Sequence, residues 1–290
     1  MYRRILVATA GSPWSDAAVS YAVALAAQMQ AELHILTVLM VYSAYATPDM
    51  LTSSDLIMET VERQGHELLR HAADQATRAG VPHTTLAKWG NVPQTILHVA
   101  DDIQSDLIVL GSRRVTGKKR LRLGSTSGVV TAKAHQPVLV VKQPPAVAPG
   151  TRLWHRVLVA TGGSPWSDAA VDYTLSMAQT RQLEVCMLHV CRQRRRYADD
   201  LDMAAIEEKG VLALAEARAA AASVTYEACL ATGEVTDAIL DTATRKQCDL
   251  IVLGSRGLTG WKRLMLGSIS NAVAVKAALP VLIVKRFLEA

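Results

Sequence analysis

Short apolar runs alternate along this chain with longer stretches in which apolar residues recur at helical spacing, the pattern that separates buried strands from amphipathic helices. Arg4 to Thr9 is a short β-branched strand, ended by Ala10-Gly11-Ser12-Pro13. Ser12 or Ser15 suits the cap of a helix over Trp14 to Gln30, with Pro13 tolerated in its first turn. Ala17, Ala18, Tyr21, Ala22, Leu25 and Ala26 lie on its apolar face. Glu32 to Leu39 is the second strand. A polar connection, Val41 to Ser54, leads to a long helix over Asp55 to Ala79, closed by Gly80 and followed by Pro82, a common helix stop. Thr84 to Lys88 is the third strand. Gly90-Asn91-Val92-Pro93 turns into a helix through Asp102, and Leu107 to Leu110 is the fourth strand. Ser125 to Ala134 is the last helix and Val138 to Val141 the last strand of this half.

Strands and helices alternate strictly, and the strands are too apolar to have a wet face. This predicts an α/β fold, a parallel sheet covered by helices on both faces with right-handed crossovers. Ligands in such sheets bind at the carboxyl ends of the strands. The whole pattern then recurs. SPWSDAAV at Ser12 to Val19 returns letter for letter at Ser164 to Val171, and a second first strand begins at Val157-Leu-Val-Ala-Thr. Gly90-Asn91-Val92 matches Gly233-Glu234-Val235, and Pro137-Val-Leu-Val-Val-Lys matches Pro280-Val-Leu-Ile-Val-Lys. The chain is a tandem duplication. Gln143 to Thr151 is proline-rich, so the predicted division is a domain over 1–143, a linker over 144–154 and a second domain over 155–290.

Composition sharpens this only in places. The 290 residues suffice for two domains of about 145 residues each. Half the residues are hydrophobic and only 4% aromatic, which suits aliphatic α/β cores. The net charge of +5 is concentrated in two clusters, Arg113, Arg114, Lys118, Lys119, Arg120 and Arg122, and Arg192, Arg194, Arg195 and Arg196. These are either solvated loops or attractors of phosphate. Nucleic acid is not expected, because no aromatics are interleaved with the basic residues. Cys186, Cys191, Cys229 and Cys248 all fall in the second half without a paired framework, as in a reducing compartment. No apolar run reaches the roughly 18 residues of a membrane span. Met1-Tyr-Arg-Arg is too short a lead for a signal peptide. The expectation is a cytoplasmic protein without a membrane segment.

The candidate chemistry sits at DLIVLGSRGLTGWKRLMLGSIS, Asp249 to Ser270. An apolar strand is followed by Gly254 and Gly257, then Gly267 and Ser268 before a helix. Glycines let the backbone approach an anion, and the N–H groups of a helix start point at it. The spacing G-x2-G-x9-G-[ST] is neither Walker A nor the dinucleotide fingerprint. The first half repeats it at Asp106 to Ser127, with Gly111, Gly124 and Ser125 in place but Arg114 where the second copy has Gly257.

On these residues each half resembles a universal stress protein domain, and nearly the whole chain looks like a tandem universal stress protein. The resemblance implies two five-stranded parallel sheets of strand order 3-2-1-4-5, with helices on both faces. It also implies pairing through the last strands, here possible within one chain, and a possible homodimer. In the ATP-binding branch of that family the loop after strand four holds ribose and phosphates. By that resemblance Gly254, Arg256, Gly257, Gly267, Ser268, Ile269 and Ser270 would hold the nucleotide in the second half. Gly111, Arg113, Arg114, Gly124, Ser125, Thr126 and Ser127 would form a weaker site in the first. The branch usually carries an acidic residue at the end of strand one, where this chain has Ala10 and Gly162. Nucleoside recognition would then fall to the backbone near Val38 and Val190 or to the hydroxyls of Thr9 and Thr161. Arg114 either blocks its pocket or holds phosphate oxygens with its guanidinium. Trp14 and Trp166 are packing residues or stacking surfaces for a base. Asp16 and Asp168 favour their helix starts or bind a metal with the phosphates. Cys186, His189 and Cys191 match no common zinc spacing and read as core residues, Cys186 on the opposite face from the other two.

The expected function is a stress-response protein that binds ATP, with or without Mg, or another adenine nucleotide, mainly in the C-terminal domain. No residue stands out as a general base and no nucleophile elbow is present, so the nucleotide would be a regulatory ligand and the protein at most a weak ATPase. Two alternatives remain: a nucleotide-free pseudo-dimeric scaffold for another small ligand or a protein partner, and an adenylating enzyme. The latter rests on Thr161-Gly162-Gly163-Ser164, a distant likeness to a phosphate loop.

Overall fold

The apolar runs become strands with both faces covered, as a parallel sheet between helices requires. The structure, a computed structural model, describes residues 2–40, 54–112, 123–145, 150, 152–191, 201–255 and 266–285, and for residues 54, 201–209 and 221 the backbone alone. The first half runs β1 (Arg4–Thr9), α1 (Pro13–Met29), β2 (Glu32–Leu39), α2 (Ser54–Arg78), β3 (His83–Trp89), α3 (Val92–Asp102), β4 (Leu107–Gly111), α4 (Ser125–Lys133) and β5 (Val138–Val141). The second runs β6 (Arg156–Thr161), α5 (Pro165–Arg181), β7 (Glu184–Cys191), α6 (Leu201–Ala221), β8 (Tyr226–Thr232), α7 (Val235–Arg245), β9 (Leu250–Gly254), α8 (Ser268–Lys276) and β10 (Val281–Val284). The predicted elements all form, with ends shifted by a residue or two.

The strand order is β3-β2-β1-β4-β5-β10-β9-β6-β7-β8. Each half is the expected parallel sheet of order 3-2-1-4-5. The two halves fuse into one ten-stranded sheet where β5 and β10 pair antiparallel, Val140 opposite Val281 and Val138 opposite Ile283. Every residue of β5 and β10 is buried. Left as edges, these apolar strands would present unpaired N–H and C=O groups to any passing chain; pairing them removes both liabilities at once. The outer strands β3 and β8 alternate half-buried with exposed positions and form the two ends of the sheet.

Two apolar layers flank the sheet, and each draws residues from both halves. Ile5, Val7, Leu25 and Ile35 share one layer with Val157, Met177, Met187 and Leu282, beneath α1, α2, α5 and α6. Leu6, Ile96 and Ile108 share the other with Leu158, Ile239 and Ile283, beneath α3, α4, α7 and α8. Burying one such side chain contributes about 1.5–3 kcal/mol, so the halves stabilise each other through a common core.

The contacts between the halves obey a pseudo-twofold axis. The Tyr173 hydroxyl donates to that of Tyr2 at 2.9 Å, and at the equivalent place the Trp154 indole N–H donates to the Tyr21 hydroxyl at 2.8 Å. Burial holds the pKa of Tyr2, Tyr21 and Tyr173 above that of a free phenol. Lys142 at the end of β5 donates to Val275 O of α8 at 2.8 Å, while Lys285 after β10 donates to Thr131 O and Ala132 O of α4. Each ammonium thus meets the carbonyl end of the other half's last helix, the favourable pole of its dipole. Leu153 and Trp154, at the end of the stretch read as linker, are buried in this seam.

Candidate functional site

The crossovers bring the carboxyl ends of β1 and β4 to one edge of the sheet and, because β5 and β10 pair antiparallel, those of β6 and β9 to the opposite edge, each where its half's strand order reverses. α1 and α4 begin at the first of these edges and α5 and α8 at the second, and within each pair the first turns differ. At α1 the Ser15 N–H donates to Ser12 Oγ at 3.2 Å and the Ser12 N–H to Ser15 Oγ at 2.9 Å. The same reciprocal box closes α5, with Ser167 N–H to Ser164 Oγ at 3.2 Å and Ser164 N–H to Ser167 Oγ at 3.0 Å. These starts have satisfied their own donors. The sequence T-G-G-S after β6 is therefore part of a self-capped turn and lacks the free donors a phosphate loop needs.

At α4 and α8 the cap residue is glycine, Gly124 and Gly267, and neither helix has a side-chain cap. The N–H groups of Ser125, Thr126 and Ser127, and of Ser268, Ile269 and Ser270, are thus left for whatever approaches the edge. Free helix-start donors and the positive pole of the dipole together favour an anion. Ser125 and Ser268 are exposed there. Ser127 and Ser270 are buried and turn inward: Ser270 Oγ donates to Gly254 O at 2.8 Å and Ser127 Oγ contacts Gly124 O at 3.4 Å. Ser270 was expected to offer its hydroxyl proton to a ligand, and in this structure that proton is engaged with the strand end.

Gly111 and Gly254 have a packing role that spacing alone does not reveal. A Cβ on Gly254 would stand 2.2 Å from Trp166 O, and one on Gly111 would stand 2.1 Å from Trp14 O. Strand four must end in glycine so that the first turn of the neighbouring helix can lie against it. The backbone of the repeated Trp-containing segment is thereby fixed at the site, with Trp14 and Trp166 half-buried.

Side-chain alternation divides the predicted nucleoside contacts between two faces. Val38 and Val190 pack with Ala8, Ala160 and Ile269 against the core layer beneath α3, α4, α7 and α8. Thr9 and Thr161 point to the other layer and are buried, their hydroxyls accepting from Gly11 N at 3.5 Å and Gly163 N at 3.4 Å. The structure thus places Val190 and Ile269 on the same layer, the one beneath α8, and the threonine hydroxyls on the other. Ala10 and Gly162 are exposed at the rim, and a Cβ on Gly162 would meet nothing within 4 Å. Arg113, Arg114, Arg256, Gly257 and the two basic clusters lie outside the described residues.

Other predicted residues take structural places. Asp168 pairs with Arg218 of α6 at 3.6 Å, and Arg218 also reaches Asp172 at 3.5 Å. Asp249, which opens the motif, accepts from His155 N at 2.7 Å and Arg156 N at 3.4 Å, tying β9 to the start of β6 far from the glycine edge. Its partial burial raises its pKa. His189, read as a core residue rather than a metal ligand, is buried with its Nδ1 2.9 Å from Thr161 O, where Thr37 Oγ1 donates to Thr9 O at 3.2 Å in the first half. Aligning the two copies was the signal that would have paired these positions. Among the described residues no group of three His, Cys, Asp or Glu side chains is arranged to hold a metal ion.

The profile of the universal stress protein family matches residues 1–142 and again 154–285. The chain belongs to the universal stress protein family. A universal stress protein of Mycolicibacterium smegmatis is 31% identical over 97% of this chain and 96% of its own length. One from Bacillus subtilis is 34% identical over 46% of this chain and all of its own length, a single-domain relative of half the tandem. The crystal structure of a universal stress protein from Archaeoglobus fulgidus superposes with a TM-score of 0.77, at 23% identity, over 98% of this chain and 96% of that one. This stress protein therefore shares its paired-domain fold with a solved relative. No helix among its described residues is long and apolar enough to cross a membrane.

Proposed function

We propose that this universal stress protein binds an adenine nucleotide, ATP with or without Mg, as a regulatory ligand, and that the C-terminal domain holds the stronger site. The observation that carries this reading is the contrast between the two helix starts at each half's carboxyl edge. The α1 and α5 starts are self-capped, whereas α4 and α8 have glycine at the cap and no side chain on their first-turn donors. A polyphosphate would accept from the N–H groups of Ser268, Ile269 and Ser270 and from the Ser268 hydroxyl. The nucleoside would lie against Val190 and Ile269. The second half is favoured because Gly257 stands where the first half has Arg114. Among the described residues nothing at this edge supplies a general base, so bound nucleotide would change shape or partner surface rather than turn over. Composition supports a cytoplasmic setting.

A second reading is motivated by Ala10 and Gly162, exposed rim residues with no acceptor where an acid usually sits. On that reading the protein is a scaffold for another small ligand or a protein partner. Titration calorimetry with ATP and Mg, together with mass spectrometry of any molecule released on denaturation, separates the two. One ATP per chain, abolished by Gly257→Arg, is the expected result. Two ATP per chain would remove the preference for the second half. No released nucleotide and no heat would overturn nucleotide binding and leave the scaffold. Phosphate release faster than the spontaneous rate by orders of magnitude would overturn the regulatory role.

A further inference from the structure

All four cysteines lie in the second half, and three of them converge. Cys186 is the third residue of β7, Cys229 the fourth of β8, and Cys248 stands in the turn between α7 and β9. The register sets Cys186 beside Glu227 and Leu188 beside Cys229, so the two cysteines share a face as diagonal neighbours. Their Sγ atoms are 3.5 Å apart, and the Cys186 thiol is also hydrogen-bonded to Cys248. None of the three is disulfide-bonded. Cys186 and Cys248 are buried beneath α7, whereas Cys229 is part-exposed. The group occupies the amino half of β7, at the opposite end of the strand from Val190 and the glycine edge.

Nothing in the fold requires sulfur here. The equivalent positions in the first half are His34, Leu86 and Ser105, and that half builds the same strands and helices. The three second-half replacements are all thiols, and Cys186 neighbours both of the others. Their surroundings differentiate them. The hydrogen bond from Cys186, aided by the charge of Arg156, lowers the pKa of Cys248 against its own burial. Cys186 is pushed well up by the same hydrogen bond, and burial chiefly pushes Cys229 up to about 12. The arrangement has one thiol disposed to ionise, one thiol touching both others, and one at the surface.

We propose that Cys186, Cys229 and Cys248 form a thiol site for two-electron oxidation by a hydroperoxide, with Cys186 as the shared partner in the resulting disulfide. The Cys248 thiolate attacks the terminal peroxide oxygen, the O–O bond breaks, and the leaving alkoxide or hydroxide takes a proton; Cys248 becomes a sulfenic acid. The Cys186 thiol then attacks that sulfur, the S–O bond breaks, and water leaves with the Cys186 proton. The sulfurs are oxidised by two electrons and the peroxide is reduced to an alcohol, or to water, plus one further water. Cys229, close to Cys186 and part-exposed, exchanges onto Cys186 and returns Cys248 to the thiol. Cys229 is part-exposed, and exposed disulfides are among the easily reduced ones. The site would cycle.

The test treats the full-length protein with hydrogen peroxide, quenches with an alkylating agent, and maps the linked peptides. The expected product is one intramolecular disulfide containing Cys186, with a mass lower by about 2 Da, restored by thiol reductant. Cys186→Ser should abolish the link, whereas Cys191→Ser, outside the cluster, should leave it intact. Far-ultraviolet circular dichroism of the Cys186→Ser protein confirms that the fold survives. If that variant is unfolded, Cys248→Ser serves instead, and slower disulfide formation by at least tenfold is expected. Persistence of three free thiols under peroxide that oxidises a free cysteine, or a disulfide that excludes Cys186, would overturn the proposal.

Discussion

Replacing Gly254 with alanine probes the packing that creates the glycine edge. The new methyl would stand 2.2 Å from Trp166 O, 2.5 Å from Trp166 C and 3.0 Å from Ser167 N. Ordinary contact begins at 3.4 Å, so α5 or the end of β9 must move by the difference, 1.2 Å. The obstacle is backbone held by the Ser164–Ser167 box and cannot be relieved by a rotamer change. Overpacking of this kind destabilises by about 1–3 kcal/mol, and the rigid partner places this site at the upper end. Gly162→Ala is the control, since its methyl meets nothing within 4 Å and its φ is not positive. It should be neutral, or stabilising by up to about 1 kcal/mol through the unfolded chain. Urea unfolding at constant m reports both changes as shifts in the midpoint. A Gly254→Ala protein as stable as the parent, or a Gly162→Ala protein equally damaged, would refute the assignment of Gly254 to helix approach.

The seam between the halves gives two further expectations. Trp154→Ala removes a fully buried indole and strands the Tyr21 hydroxyl, so it should cost about 3–5 kcal/mol in urea unfolding. Tyr2→Phe, at the equivalent contact, removes only one hydroxyl and should cost about 0.5–1.5 kcal/mol. The second expectation concerns pH. Burial lowers the Lys285 ammonium to about 8 from an ordinary 10.5. Between those values the unfolded chain binds a proton that the folded chain has released, so stability rises with pH across this window, is full above it, and levels off at its lower value below pH 8, where both states are protonated. The rise is at most about 3 kcal/mol, trimmed by the carbonyls of Thr131 and Ala132, which favour the charge. Lys285→Met should flatten the slope, measured by urea unfolding from pH 7 to 10; an unchanged slope would assign the effect elsewhere.

The architecture was readable because it rests on local patterns stated twice. Apolar runs such as Leu107–Leu110 and Val138–Val141 cannot be placed except in the middle of a covered sheet. Pro13 and Gly80 punctuate the helices as their backbone chemistry demands, Gly80 at φ +65°. The site was readable less evenly. Glycine at the start of α4 and α8 was visible, but the difference between a capped and an uncapped helix depends on where Ser12 and Ser15 turn. Likewise Ser270 and Ser127 look like ligand hydroxyls in sequence and turn inward in space. Thr9 and Thr161 were offered as an alternative to the backbone near Val38 and Val190, and their hydroxyls are buried on the other face and accept from Gly11 and Gly163 N–H. The thiol site was least visible, since Cys186, Cys229 and Cys248 are joined by strand register and a helix turn rather than by spacing.

The seam also explains how two copies of one domain can share a chain and still differ. In a pair of identical subunits every change appears twice across the axis. Here Tyr2 meets Tyr173 while its counterpart Trp154 meets Tyr21, and Arg181 donates to Gln28 O at 3.0 Å where the equivalent residue of the first half is Met29. The contacts are equivalent in place and different in chemistry, so the two orientations of the seam are no longer interchangeable. Covalent fusion fixes which half sits on which side, and changes on one side need satisfy only one environment. Arg114 opposite Gly257, and thiols opposite His34, Leu86 and Ser105, follow the same logic. The halves keep one fold because they share one core, and they separate in chemistry at the glycine loop and at a thiol cluster whose buried members, Cys186 and Cys248, replace His34 and Ser105 without changing the strands and helices around them.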